Sequence, residues 1–139
     1  MKKTLTLLAL LTFSNFINAQ DIKLKKKKVL FDGIEVLSYE REDSGVFQIH
    51  FYDLKNNDEI LFLKRNDNET PINYDDDYTQ IKFIGLKKGL ELKQQKSWTG
   101  YLEWLVKNKV INNDGTINEE KADTLIQNYD ENITKRTVR

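Results

Sequence analysis

The chain has 139 residues, 22 basic and 22 acidic side chains, one histidine and no cysteine. The lack of cysteine excludes disulfides, thiolate metal sites and a cysteine nucleophile, so packing alone must hold the fold. The balanced charge gives no long-range attraction for nucleic acid.

Residues 1–19 read as an export signal. Lys2 and Lys3 precede an apolar run from Leu5 to Phe13, and Ala19 supplies the small residue before a cut. The run is too short to serve as a lasting membrane anchor. The expectation is a periplasmic or secreted protein cleaved after Ala19, with residues 20–139 forming one domain.

Lys23, Lys25, Lys26, Lys27 and Lys28 follow the cut. They read as an edge strand guarded by lysines, the alternative being a basic arm for anionic surfaces. Ile22 to Phe31 continues as one extended run. Asp32-Gly33 then predicts a tight hairpin, because both turn positions demand positive φ. Ile34 to Arg41 is the next strand, and Glu42-Asp43-Ser44-Gly45 turns the chain again.

From Val46 to Arg65 two aromatic-rich runs flank Lys55-Asn56-Asn57-Asp58, the pattern of a β-hairpin. Phe47, Ile49 and Phe51 alternate with Gln48, His50 and Tyr52, which makes one face apolar. Ile60 to Leu63 is apolar on both faces and belongs inside a sheet. Asn66 to Asp77 is a long loop, and its Asp75-Asp76-Asp77 lacks the ligand spacing of a calcium loop. Thr79 to Ile84 and Leu90 to Gln94 are further strands, with Gly89 suited to a left-handed turn position.

The period then changes. Ser97 caps a helix that carries Trp98, Tyr101, Leu102 and Leu105 on one face. Asn112 to Gly115 is a loop, and Ala122, Leu125, Ile126, Tyr129 and Ile133 form the stripe of a second helix. Residues 110–121 imitate a calcium loop. Val110 and Lys121 stand where that loop needs acids, so the segment reads as a helix–helix turn.

The fold class is therefore α+β: an antiparallel β-meander of about six strands (22–94), curved or partly closed, followed by a C-terminal pair of α-helices (97–133). No phosphate-cradling glycine loop or Gly-x-Ser-x-Gly elbow occurs, and the lone His50 cannot build a multi-histidine metal site. No cofactor is expected. The expected function is a non-enzymatic binding or interaction module with a protein or glycan partner in the cell envelope. The alternatives are a periplasmic hydrolase using carboxylates and a structural envelope component. The candidate binding residues are Trp104, Tyr101, His50 and Tyr52. Trp104 falls at the border of the first helix's apolar face, beside Tyr101. It is read either as a core-edge residue or, with Tyr101, as an exposed aromatic anchor.

Overall fold

The structure, a computed structural model, describes residues 20–44, 47–67, 69, 72 and 74–137. The export signal expected over residues 1–19 lies outside the described residues. Seven strands pair in chain order, each antiparallel to the next: β1 (Ile22–Lys25), β2 (Lys28–Phe31), β3 (Ile34–Glu42), β4 (Gln48–Asp53), β5 (Glu59–Asn66), β6 (Tyr78–Phe83) and β7 (Lys88–Leu92). Among the described residues three helices follow: α1 (Trp98–Lys107), α2 (Glu119–Tyr129) and the short α3 (Ile133–Thr137). The fold is α+β, as the change of period predicts.

The seventh strand arises because Ile22–Phe31 is two strands and not one. Lys26 and Lys27 have φ of 51° and 65°, the double left-handed geometry of a two-residue hairpin turn. Lysine carries no turn signal, so the break is invisible to composition. It folds β1 back on β2 and places Ile22 in the core, 5 % exposed. The expected Asp32-Gly33 turn is present, with φ of 50° and 81°.

Strand register sorts the side chains onto two faces. Tyr39, Phe51, Leu61 and Phe83 align on one, as do Ile49, Leu63, Ile81 and Leu90. This face joins Trp98, Tyr101, Leu102 and Leu105 of α1 and Ala122 and Leu125 of α2 in one core. On the other face Glu40, His50, Phe62, Lys82 and Gly89 form a row. Gly89 differs from its expected role. The left-handed residue of its turn is Lys87 at φ 54°, and Gly89 lies within β7, where a Cβ would meet the Ile81 carbonyl at 2.5 Å. Its lack of a side chain lets β6 and β7 pair.

The sheet is open: β1 and β7 are its edges and do not pair with each other. β1 carries the lysines of a guarded edge. β7 is closed by the chain after α2. The Glu91 N–H donates to Asp130 Oδ1 at 3.0 Å, and Glu131 N–H returns a bond to the Glu91 carbonyl at 3.0 Å. That plug explains why the second helix stops short. Asp130 turns extended, Asn132 takes φ 53°, and Ile133 opens α3 instead of continuing the α2 stripe.

The Glu91 carboxylate then docks α3. It accepts from Thr134 N–H at 2.7 Å, from Thr134 Oγ1 and from Gln80 Nε2 at 3.2 Å. Burial pushes the Glu91 pKa up, but the bonds from Thr134 and Gln80 outweigh it and hold the carboxyl below its ordinary value. A depressed folded pKa stabilises the docked state at high pH. The contribution is complete above the ordinary glutamate value of about 4.3 and is lost as pH falls through the lower folded value. The expected result is acid release of α3 ahead of the sheet, read from the Thr134 amide in an NMR pH titration. Glu91→Gln abolishes that titration. An amide indifferent to acid until global unfolding contradicts the linkage.

Candidate functional site

A concavity in which apolar residues gather lies at the turn end of the sheet. Three hairpin turns and the loop between α1 and α2 meet there around a cleft of about 550 Å3, within the roughly 300–1,000 Å3 common for ligand sites. Val36, Leu37 and Phe83 form its floor and are buried, while Ile60, Leu86 and Ile117 line it part-buried. Ile34 and Leu54 stand at its mouth, 69 % and 48 % exposed. Glu35, Asp53 and Asp114 line the same space with Lys55, and Glu35 pairs with Lys28 at 2.9 Å.

Each lining element is held locally. Asp53 Oδ1 accepts from the Asn56 and Asp58 amides at 2.9 and 3.2 Å, which fixes the β4–β5 turn and presents Leu54. The α1–α2 loop closes by an antiparallel bridge between Ile111 and Ile117. Inside it Asp114 accepts from the Thr116 hydroxyl and amide, and these bonds hold its carboxyl below the ordinary range. Val110, at the first position of the calcium-loop imitation, is fully buried. Among the described residues no group of three or more histidines, cysteines or acids is placed to hold a metal ion.

His50 and Tyr52 come together on the face of the sheet opposite the helices. Their rings stack at 6.5 Å, and the Phe62 ring centroid lies 4.6 Å from that of His50. His50 Nδ1 meets Glu59 Oε1 at 2.6 Å and its Nε2 faces Gln48 at 3.4 Å. Burial, and then the charges of Glu40 and Glu59, push the Tyr52 pKa up. The two residues line a shallow polar depression of about 360 Å3 with Lys27, Glu40, Arg41 and Glu42.

Tyr101 and Trp104 do not form an exposed pair. Tyr101 is 0 % exposed and its hydroxyl donates to the Gln94 carbonyl at 2.8 Å, which lets the phenol be buried without loss of a hydrogen bond. Trp104 is part-buried and packs edge-on against Tyr129, with ring centroids 5.4 Å apart. The cleft residues Ile34, Leu54, Leu86 and Ile117 had one sequence signal: aliphatic side chains standing beside turn residues, where polar ones are usual.

Fold and cleft together define an α+β domain: an open seven-stranded antiparallel meander, helices on one face, and an apolar cleft at the turn end. Comparisons with protein-family models, curated proteins and solved structures found no match to this chain.

Proposed function

We propose that this protein is an exported, non-enzymatic binding module. Its turn-end cleft takes a leucine- or isoleucine-bearing segment of a partner protein in the cell envelope, with basic residues beside the apolar one. The observation that carries this reading is the aliphatic cleft with Ile34 and Leu54 exposed at its mouth. Burying such a side chain contributes roughly 1.5–3 kcal/mol. The preference for a basic flank rests on Asp53 and Asp114, which face the single Lys55 across the opening, Glu35 being paired with Lys28 at 2.9 Å. Export rests on Lys2, Lys3, the leucine run and Ala19.

A short peptide of leucine and lysine is expected to bind at least about tenfold more tightly than one of leucine and glutamate. Leu54→Asn removes the apolar lip at an exposed position, so it leaves the melting temperature near that of the parent and weakens the lysine peptide by about tenfold. Calorimetric titration measures both. Equal affinity for the two peptides, or full affinity in Leu54→Asn, contradicts the reading.

A further inference from the structure

Arg65 is a cation that the described fold does not neutralise. It stands on the core face of β5, at the end of the sheet away from the cleft, and pairs in register with Thr79. Its Nη2 donates to the Lys96 carbonyl at 2.6 Å. Its guanidinium lies over the Trp98 ring, 4.8 Å from the centroid. Its Nε is buried with no hydrogen-bond partner. Among the described residues no carboxylate forms an ion pair with it, whereas the neighbouring Arg41 is bound to Asp43 at 2.6 Å.

A part-buried guanidinium without a counter-charge is costly, and stacking on tryptophan offsets only part of that cost. The space beside Arg65 is a pocket of about 410 Å3, lined also by Leu24, Phe47, Ser97, Thr99 and the Arg41–Asp43 ion pair, whose two charges cancel and leave Arg65 as the unmatched one. Phe47 is 50 % exposed there. The first turn of α1, which carries no acidic residue, opens onto the same space and adds its positive end.

We infer that this pocket is a carboxylate site. A planar carboxylate matches the donor fork of a guanidinium, and one unmatched positive charge calls for a monoanion and not a dianionic phosphate. The ligand class is a carboxylate on a small apolar or aromatic body, with its oxygens on Arg65 and its body against Phe47 and Leu24. This site is independent of the cleft.

Trp98 is a built-in reporter. The chain has two tryptophans, and Trp104→Phe leaves Trp98 as the sole emitter. Phenylacetate is expected to change its emission saturably in the millimolar range, while phenylacetamide, the neutral counterpart, does not. N-acetylphenylalanine separates two sources of the same group: tighter binding than phenylacetate marks a peptide terminus, weaker binding a free small acid, and both fit the site. Arg65→Lys keeps the charge but loses the fork, and removes the response. A melting curve checks that this variant is folded. Should it fail to fold, Phe47→Ser on the exposed wall is expected to weaken phenylacetate by about fivefold. No saturable response, equal action of phenylacetamide, tighter binding of inorganic phosphate, or a response that survives in both variants overturns the assignment.

Discussion

Tyr101→Ala lowers the unfolding free energy by roughly 3–5 kcal/mol. Tyr101 is among the largest fully buried side chains, set in α1 where that helix meets the sheet. Alanine leaves a cavity the size of a phenol ring, and the surrounding side chains relax into it only partly. It also strips the Gln94 carbonyl of its donor. Tyr101→Phe keeps the ring and loses only that bond, at about 1 kcal/mol. Small domains have a total stability of roughly 5–15 kcal/mol, so the alanine variant sits near the edge of folding. Urea midpoints at an unchanged slope separate the two variants. An alanine variant as stable as the phenylalanine variant contradicts the packing described for α1.

Gly115→Val is expected to cost roughly 2–6 kcal/mol, with two separable causes. Gly115 has φ +86°, where a β-branched residue is strained by about 1–3 kcal/mol. A Cβ there also meets the Val36 carbonyl at 2.8 Å and Leu37 Cδ2 at 3.0 Å, and forced contact in a packed site adds about 1–3 kcal/mol. The carbonyl belongs to β3 and cannot swing aside, so the α1–α2 loop must lift off the sheet. Gly33 isolates the first cause. Its φ is +81° but nothing lies within 4 Å of a Cβ, so Gly33→Val costs only the strain, about 1–3 kcal/mol. Equal midpoints for the two valine variants contradict the close approach of the loop to β3.

Much of the fold is written in local rules. Asp32-Gly33 forms its turn because the residues tolerate positive φ. Ser97 caps α1 by accepting the Gly100 amide, and Trp98, Tyr101, Leu102 and Leu105 share the buried face that helical spacing predicts. Where a distant partner decides, local rules give way. Lys26 and Lys27 turn because β1 gains β2 and the core, against their own preference. Ile133 leaves the α2 stripe because Asp130 and Glu131 bind β7. The cleft shows in the sequence only as aliphatic residues beside turns, because Ile34, Leu54, Leu86 and Ile117 come from three turns and a loop that meet only in the folded chain. Arg65 reads as an ordinary polar strand end until Trp98 and Lys96 are placed around it. His50 and Tyr52 do share the polar face that alternation predicts.

The binding role of the cleft is tested most directly by a backbone-amide shift map. The 15N-labelled protein is titrated with the leucine–lysine peptide. Shifts are expected at Ile34, Leu54, Leu86 and Ile117, with His50, Tyr52 and Trp104 unmoved. Shifts centred on His50 and Tyr52, or none anywhere at saturating peptide, would contradict it.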